Sequence, residues 1–534
     1  MKHLPFSNSK PRSKWLISSC LIGAAIALSS FTPTSAHAAQ DCASLANLKI
    51  EDTNLLSAVE VPANGDLPAY CRVLGYVRPA INFEIRLPLQ GWNGKFYMAG
   101  CNGFCGSLNT ELPGFRNGLR RNYAVLISDS GHWGSSSADM RWAMNNPAAL
   151  MDYAQRSVPE TARVAKVILK AYYGTEQKKS YFAGCSGGGR MAAMEALRYP
   201  KDFDGIISGA PALDQTALSA NLHGWLSQVN NGPDGKLVLS PTKVKLLEHA
   251  VYEACGEKIG IKDPLIAEPR ACHFKPSALL CRTGDAADCL TAAEVGAAEK
   301  IYDGPVNSRG QHLYPGGVPL GSEPFWPIWV TGTGDRPTAA TAFAQNFYRY
   351  IAFQPPAGPA FKVTDYDFDK DPSRLAYSAS VLNVATFNPS SGEIEFGDMT
   401  AFRQAGGKLI IWHGWADAGI PPQLTVDFYE ALAKKFGGIT ATQDFARLFM
   451  VPGMDHCGIQ TNGPGIAGTG IDPLTALEQW VEEGKAPSEL IATKTAAAGG
   501  QTLWRRPVCA YPKIARYKGS GDPTDAANFS CMDP

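Results

Sequence analysis

The chain has 534 residues, of which 45% are hydrophobic and 18% charged, with equal numbers of acidic and basic side chains. This length and composition are typical of a protein with a large buried core, built as one large domain or as a core with an insertion. Without the first 38 residues, 45 basic and 49 acidic side chains remain, so nothing in the charge suggests a nucleic-acid partner.

The first 38 residues have the features of a secretory signal peptide. A basic start precedes the apolar run WLISSCLIGAAIAL, and the small residues Ala36-His37-Ala38 predict cleavage after Ala38. A membrane anchor is disfavoured because the apolar run is shorter than the ~20 residues of a span. A lipoprotein signal at Cys20 is disfavoured because most of that run follows the cysteine. We therefore expect a secreted or periplasmic protein with no membrane contact after cleavage.

Twelve cysteines remain after this cleavage, an even number for an exported chain. Disulfides are therefore expected rather than metal thiolates. No CxxC spacing of the kind found in zinc sites competes with them.

Strands and helices alternate from residue 39 to residue 212. The last two predicted strands lie on either side of a predicted helix that follows Ser186. This βαβ pattern indicates an α/β fold with a parallel sheet covered on both faces. The elements predicted here are strands at 83–87, 95–98, 123–128, 179–183 and 205–208, and a helix at 159–173.

The alternation is lost between residues 213 and 400. This segment is rich in Pro, Gly and Cys, has clustered aromatic residues and shows no clean series of strands. We interpret it as a lid domain inserted into a catalytic domain formed by residues 39–212 and 401–534. In the second part of that domain, strands are predicted at 407–412 and 446–451 and helices at 422–433 and 473–483.

The sequence Gly184-Cys-Ser186-Gly-Gly188 matches GxSxG between a predicted strand and a predicted helix, the context that this motif requires. A serine on such a turn has a strained backbone, so small residues two positions to either side let the strand and helix approach. The N–H of Gly187 then points toward an oxyanion formed on an attacked carbonyl. The pattern predicts Ser186 as a catalytic nucleophile.

A serine hydroxyl needs a histidine base and an acid that orients the histidine. In hydrolases with this turn, the acid follows the serine in chain order and the histidine comes last. Asp417 follows directly on the predicted strand that ends at Trp412, and His456 lies in the loop VPGMDHC after the last predicted strand. We predict Asp417 as the acid and His456 as the base.

Four other residues could take these roles. His413 could replace the base, but its place at a strand end, one turn from the predicted acid, favours a structural hydrogen bond. Asp455 could replace the acid, but a residue adjacent to the predicted base can hardly face its imidazole nitrogen. His132 and His223 are most simply surface or core histidines.

Cys185 precedes Ser186, and Cys457 follows His456. If the serine and the histidine meet in the fold, the two sulfurs come close as well. A disulfide there would close a loop of about 270 residues and, in the chain-entropy model, stabilise the fold by roughly 5 kcal/mol. A nucleophilic Cys185 is the alternative, but an exposed thiol would be oxidised in an exported protein.

Ser186 and His456 each have one cysteine neighbour. Together with Asp417, they resemble the paired-cysteine triad of the tannase and feruloyl esterase family, which includes mono(2-hydroxyethyl) terephthalate hydrolases. The resemblance covers almost everything after the leader. Similar stretches are LPAYCRV (67–73), WNGKFYMAG (92–100), DFDGIISGAPA (202–212), GGKLIIWHGWADAGIPP (406–422), FMVPGMDHC (449–457) and ARYKGSGDPTDAANFSC (515–531).

This resemblance implies an α/β-hydrolase core with a lid, and an oxyanion hole formed by the N–H groups of Gly187 and Gly103. It also implies five disulfides, which leaves Cys101 and Cys105 to pair with each other. The five are Cys42–Cys71, Cys185–Cys457, Cys255–Cys272, Cys281–Cys289 and Cys509–Cys531.

Family members bind calcium in the lid through a loop resembling CDxxDGxxDGxI, whose aspartates supply hard oxygen ligands. The matching loop here, Cys255 to Ile266, keeps only Asp263, since Gly256 and Ile259 replace the other two aspartates. We expect no calcium, no other metal and no cofactor.

Terephthalate-monoester hydrolases of the family resemble one another in a lid arginine that clamps the free carboxylate. Alignment without gaps back from Phe353 puts Ala340 at that position. Arg336, four residues earlier, could serve as the clamp instead, but a surface role is the simpler interpretation. Aromatic lid residues could stack on a phenolic ring or pack within the lid. The candidates for substrate contact are Trp326, Trp329, Phe347 and Phe353.

The sequence thus predicts a secreted serine esterase that cleaves esters of hydroxycinnamic or gallic acids. An enzyme of the mono(2-hydroxyethyl) terephthalate hydrolase type is the first alternative. A non-catalytic binding protein on the same scaffold is the second, disfavoured because no triad member is missing. A small aromatic ester is the expected partner, and the sequence does not fix the oligomeric state.

Overall fold

The computed structural model of the protein describes residues 41–232, 236–256, 265–332, 337–460, 463–496 and 500–534. Three features discussed above lie outside these residues. They are the predicted signal peptide, Asp263 of the calcium-loop comparison, and Arg336.

A sheet of nine strands forms the centre of the molecule. Its spatial order is β1-β2-β3-β5-β4-β6-β7-β10-β11. Neighbouring strands from β5 to β11 are parallel, and β1, β2, β3 and β5 pair antiparallel. The strands of this sheet are β1 (Thr53–Val61), β2 (Tyr70–Val77), β3 (Ile81–Pro88), β4 (Lys95–Ala99), β5 (Ala124–Ser128), β6 (Lys179–Cys185), β7 (Gly205–Gly209), β10 (Lys408–Gly414) and β11 (Ala446–Val451).

Both faces of the parallel part are buried, which explains its nearly continuous apolar sequences. Alternate residues of each strand enter different hydrophobic clusters because side chains of a strand point to opposite faces. In β4, Phe96 and Met98 lie in one cluster and Tyr97 and Ala99 in the other. The predicted α/β fold is therefore confirmed, as are its parallel strands.

The prediction of a parallel sheet is wrong for the first strands. Only three residues, 78–80, connect β2 to β3. Such a short connection can join antiparallel strands, whereas a parallel pair needs a crossover of a dozen or more residues. The N-terminal strands therefore form a meander that pairs with β5 on the edge of the parallel sheet.

Fifteen α-helices are found in the described residues. Most pack on the sheet or form the segment between residues 213 and 400. They are α1 (Pro113–Arg120), α2 (Pro147–Met151), α3 (Ser157–Tyr173), α4 (Gly187–Arg198), α5 (Gln215–Ala217), α6 (His223–Val229), α7 (Pro241–Cys255), α8 (Ala292–Asp303), α9 (Trp326–Trp329), α10 (Ala339–Tyr350), α11 (Ala376–Leu382), α12 (Thr400–Gln404), α13 (Gln423–Phe436), α14 (Ile439–Thr442) and α15 (Pro473–Glu483).

Local sequence sets several helix ends. The helix α13 runs three residues beyond its predicted end and stops at Gly437, whose left-handed φ of +90° closes the helix at low steric cost. At the start of α8, Thr291 and Glu294 form a capping box that satisfies free backbone N–H groups.

Within the described residues, the segment 213–400 adds no strand to the nine-stranded sheet. It contains seven of the helices and a short hairpin of β8 (Ala385–Phe387) and β9 (Ile394–Phe396). After α15 the chain forms two antiparallel pairs, β12 (Glu489–Thr495) with β13 (Thr502–Cys509) and β14 (Ile514–Tyr517) with β15 (Phe529–Met532).

Candidate active site

Ser186 lies at the turn between β6 and α4. Its φ of +64° is unusual for a non-glycine residue, and such strain is typical of functional turns. A Cβ on Gly184 would lie 2.5 Å from the carbonyl oxygen of Gly188, so the strand and helix could not approach with a larger residue at 184. The Ser186 N–H donates to the carbonyl of Gly209 at 2.9 Å, which fixes the turn against β7.

Gly187 and Gly103 lie against each other beside this turn. A Cβ on Gly187 would be 2.2 Å from the Gly103 carbonyl oxygen, so only glycine allows this approach. Gly103 has a φ of +55°, in the left-handed region that favours glycine. In the described part of the chain, neither residue's N–H has a hydrogen-bond partner.

His456 and Asp417 meet at the carboxyl ends of β10 and β11. The Nδ1–H of His456 donates to Asp417 Oδ2 at 2.8 Å. The other ring nitrogen, Nε2, is then an acceptor in the neutral ring. Both side chains are buried.

Three more groups hold the Asp417 carboxylate. The N–H groups of Gly419 and Ile420 donate to Oδ1 at 2.8 and 2.7 Å. His413 Nε2 lies 3.2 Å from Oδ2 and 2.9 Å from the Ile420 carbonyl. Because both partners of Nε2 are acceptors, this nitrogen of His413 carries a proton, and His413 Nδ1 contacts Thr425 Oγ1 at 2.9 Å.

These contacts shift both pKa values of the pair. Burial by itself raises the pKa of Asp417, but attraction to His456 and hydrogen bonds from both histidines outweigh it and hold the pKa well below its usual range. Burial lowers the pKa of His456, but the negative Asp417 outweighs it, so the pKa of His456 is raised. Asp417 therefore stays ionised, and its negative charge makes the neutral imidazole of His456 a stronger base.

Asp455 does not contact the imidazole of His456. Its carboxylate accepts hydrogen bonds from the Gln460 N–H at 3.2 and 3.3 Å. Burial, with repulsion from Asp417, raises the pKa of Asp455 to about 7.

The other two histidines considered above lie in the interior. His132 Nε2 donates to the Phe104 carbonyl at 2.7 Å, and its ring stacks on Trp142. His223 Nε2 contacts the Gly419 carbonyl at 2.8 Å, and burial lowers the pKa of His223 to about 4. His223 is thus a neutral residue next to the loop that holds Asp417.

A disulfide joins Cys185 to Cys457 across 272 residues of sequence, with a Cα–Cα distance of 6.1 Å. It links the residue before Ser186 to the residue after His456. The other five expected pairings are also present, including Cys101–Cys105 on either side of Gly103.

The four aromatic residues predicted to contact substrate occupy different surroundings. The ring of Trp329 lies edge to face with the His456 imidazole at a centroid distance of 5.0 Å. The ring centroid of Phe347 lies 6.3 Å from that of Phe104, the residue after Gly103. In contrast, the Trp326 Nε1–H donates to Ser322 within the segment 213–400. Phe353 packs in the same segment, on Tyr348 and Phe361 and under Arg374.

Sequence reasoning missed Phe343 and gave no site role to His223. Phe343 lies 6.2 Å from Phe104 and 5.8 Å from the His223 ring. Its spacing of four residues before Phe347 puts both on one face of α10, and this spacing was a usable signal. Nothing in the local sequence indicated that His223 would reach the carbonyl of Gly419.

Comparison with known proteins identifies the chain's relatives. The family model described as "Tannase and feruloyl esterase" matches residues 67–532. The chain belongs to this family. It is 33% identical to an uncharacterized esterase of Xanthomonas campestris, over 94% of this chain and 92% of that protein. It is 32% identical to the mono(2-hydroxyethyl) terephthalate hydrolase of Piscinibacter sakaiensis, over 88% of this chain and 85% of that enzyme.

Solved structures agree with this family membership. Feruloyl esterase B from Aspergillus oryzae superposes with a TM-score of 0.78 and 25% identity, covering 92% of this chain and 100% of that one. The protein is therefore a carboxylic ester hydrolase with an α/β-hydrolase fold.

The described residues lack two kinds of feature. They contain no helix long and apolar enough to cross a membrane. In the same ranges, no three His, Cys, Asp or Glu side chains are grouped so that they could hold a metal ion.

Removing the Cys185–Cys457 disulfide with Cys185→Ser/Cys457→Ser is expected to lower the free energy of unfolding by roughly 5 kcal/mol, because the bond closes a very long loop. Urea denaturation measures this loss. The matched control is Cys281→Ser/Cys289→Ser, whose bond spans 8 residues. The control is expected to cost only about half as much. Equal losses in the two double variants would contradict the loop-length explanation.

Proposed function

We propose that this esterase cleaves esters of hydroxycinnamic or gallic acids, with Ser186 as nucleophile, His456 as base and Asp417 as the acid that orients the base. The observation that carries the proposal is the 2.8 Å hydrogen bond from His456 Nδ1 to Asp417 Oδ2. The Cys185–Cys457 disulfide links this pair to the strained turn of Ser186. A second support is the pair of glycine N–H groups beside that turn.

In the proposed reaction, Ser186 Oγ attacks the ester carbonyl carbon and its proton passes to His456 Nε2. The N–H groups of Gly187 and Gly103 stabilise the oxyanion. Collapse of the tetrahedral intermediate breaks the bond to the alcohol oxygen, which takes the proton from His456, and an acyl-enzyme remains. A water then loses a proton to His456 and attacks the acyl carbon. The acid is released, and the proton returns to Ser186.

The aromatic residues near the site support an aromatic acyl group. Trp329 lies at His456, and Phe343 and Phe347 reach Phe104 in the loop of Gly103. Flat rings of this kind favour another ring at stacked or edge-on distances.

A terephthalate monoester is the second candidate substrate, since one relative is named for that activity. Recognition of its free carboxylate requires a cation, and bidentate binding favours arginine. Ala340, at the position that matches the family's arginine, is fully buried in α10 and supplies no charge. This favours esters of acids that carry no second carboxylate.

Methyl ferulate and methyl gallate are expected to be hydrolysed faster than mono(2-hydroxyethyl) terephthalate. Ser186→Ala is expected to lose more than about 10³-fold in kcat on each substrate, since the nucleophile is gone. Initial rates on the three esters, with wild type and variant side by side, measure both effects. Wild-type rates in Ser186→Ala would refute the mechanism, and a preference for the terephthalate ester would refute only the substrate assignment.

Asp417→Asn is expected to lower kcat by about 10⁴-fold, because the imidazole loses the partner that fixes its tautomer. Since Asp417 raises the pKa of His456, kcat/KM of the wild type should fall as pH drops through that raised pKa, where the base becomes protonated. In Asp417→Asn the negative charge is gone, so burial dominates and lowers the pKa of His456. The acidic limb of the pH–rate profile should therefore move to lower pH.

Asp455→Asn is the matched control. Asp455 is also a buried aspartate and is adjacent to His456 in sequence, but its carboxylate accepts a hydrogen bond from the Gln460 N–H. It is expected to keep most of the activity, and pH–rate profiles of both variants test the difference. A loss in Asp455→Asn as large as in Asp417→Asn would contradict the assignment of the acid.

We further propose that residues 213–400 act as a lid and that residues 1–38 direct export. Two contacts support the lid proposal. The Trp329 ring lies edge to face with the His456 imidazole, and His223 Nε2 forms a hydrogen bond with the carbonyl of Gly419. N-terminal sequencing of the exported protein checks the second proposal, with Ala39 expected first. A first residue within the leader would contradict it.

The activity is proposed to be independent of calcium, because the lid loop retains one of three family aspartates. Dialysis against EDTA is expected to leave both kcat and the thermal midpoint unchanged, and elemental analysis should find no bound calcium. One tightly held calcium per chain would overturn this prediction.

A further inference from the structure

The loop of Gly103 is held by backbone hydrogen bonds on both sides of that residue. The Gly100 N–H donates to the Ala183 carbonyl at 2.9 Å, and the Phe104 N–H donates to the Ser137 carbonyl at 2.8 Å. Gly103 itself has a different kind of anchor. Its carbonyl oxygen accepts a hydrogen bond from the hydroxyl of Tyr153 at 3.3 Å.

The same carbonyl oxygen also lies against the backbone of Gly187. It lies so close to Gly187 that a Cβ on that residue would be 2.2 Å away. The Gly103 carbonyl is thus held between the Tyr153 hydroxyl on one side and the Gly187 backbone on the other. Because glycine has few steric limits on φ and ψ, this bond restricts rotation that the residue itself would allow.

Tyr153 is a rigid anchor. It lies on the π-helical turn Asp152–Arg156, a conformation found frequently at functional sites, and its side chain is buried. The guanidinium of Arg190 lies 4.8 Å from the centre of its ring. Arg190 also donates to the carbonyls of Tyr153 and Ala154 at 3.3 and 3.1 Å. Since Arg190 lies on α4, four residues after Ser186, Tyr153 connects the serine's helix to the loop of Gly103.

Gln215 determines where the hydroxyl proton of Tyr153 points. The Gln215 Nε2 donates to the Tyr153 hydroxyl oxygen at 2.7 Å. With this donor on the oxygen, the hydroxyl's own proton is directed to the Gly103 carbonyl. The side chains of Tyr153 and Gln215 are both buried.

We propose that Tyr153, oriented by Gln215, is a positioning residue that holds the Gly103 N–H in place for the oxyanion. This inference rests on the proposed function, because it requires Gly103 to be an oxyanion donor. Tyr153 does not touch the reacting atoms. Its effect is expected in the transition state, where the negative oxygen forms, and not in binding of the neutral ester.

Tyr153→Phe removes the hydroxyl and keeps the ring. We expect kcat to fall about tenfold with KM changed less than about twofold, which is smaller than the 10²–10³-fold loss on removal of a donor itself. Binding of phenylboronic acid, which forms a tetrahedral adduct with a catalytic serine, should weaken about tenfold in parallel. Steady-state kinetics with methyl ferulate and inhibition constants for the boronic acid measure the two effects.

Tyr429→Phe is the matched control. Tyr429 is equally buried, and its hydroxyl donates to the Ala446 carbonyl at 3.1 Å, between α13 and the start of β11. It loses the same kind of bond outside the predicted site, so its melting midpoint should shift by a similar amount while kcat and boronic acid affinity stay at wild-type values. Equal losses of kcat in the two variants would assign the effect to stability and overturn the inference.

Gln215→Glu gives an independent check with Tyr153 intact. A carboxylate at residue 215 accepts a hydrogen bond from the Tyr153 hydroxyl, so the hydroxyl no longer donates to the Gly103 carbonyl. The value of kcat should therefore fall as in Tyr153→Phe. Unchanged kcat in Tyr153→Phe, with Ser186→Ala inactive, would overturn this inference alone. Wild-type activity in Ser186→Ala would instead overturn the proposed function on which it rests.

Discussion

The hydrogen bond from His456 to Asp417 depends on a fully buried negative charge. A carboxylate in such a position costs several kcal/mol unless hydrogen bonds and an opposite charge compensate for lost hydration. Here, two histidines and two backbone N–H groups surround the Asp417 oxygens. The loop from Asp417 to Ile420 is fixed by these bonds, and His223 and Trp329 both pack on Gly419 within it. The segment 213–400 therefore contacts the core at the loop that holds the buried charge.

Two further constraints bring the distant parts of the site together. Parallel strands end at the same edge of the sheet, so Ser186 after β6, Asp417 after β10 and His456 after β11 lie at that edge. The Cys185–Cys457 disulfide then fixes the first and last of these loops to each other. The sheet supplies the approximate position and the covalent bond limits the remaining movement.

Much of this arrangement could be predicted from the sequence, because its determinants are local. The glycines around Ser186, the apolar strands and the helix signals all act within a few residues. The Cys185–Cys457 pair followed from the positions of the two cysteines beside Ser186 and His456. Four other disulfide pairings and Gly103 came from resemblance to the family, since pairing of distant cysteines has no local determinant. The antiparallel start of the sheet was missed because strand direction depends on the connection between strands, which the periodicity of residues 83–87 does not reveal.

The least predictable features are single contacts between remote residues. The hydroxyl of Tyr153 reaches Gly103 across 50 residues of sequence, from a π-helical turn that no local pattern indicated. The surroundings of Trp326 and Phe353 were equally hidden, because an aromatic cluster in sequence does not tell which rings face the site and which pack on each other. Such choices are made by tertiary packing.

Covalent labelling with an aryl fluorophosphonate tests the proposed nucleophile most directly. Mass spectrometry of the digested protein is predicted to find one adduct, on the peptide that contains Ser186, and the labelling rate should fall by several orders of magnitude in His456→Ala. An adduct on another residue, or a labelling rate unchanged by His456→Ala, would contradict the assignment of Ser186 and His456.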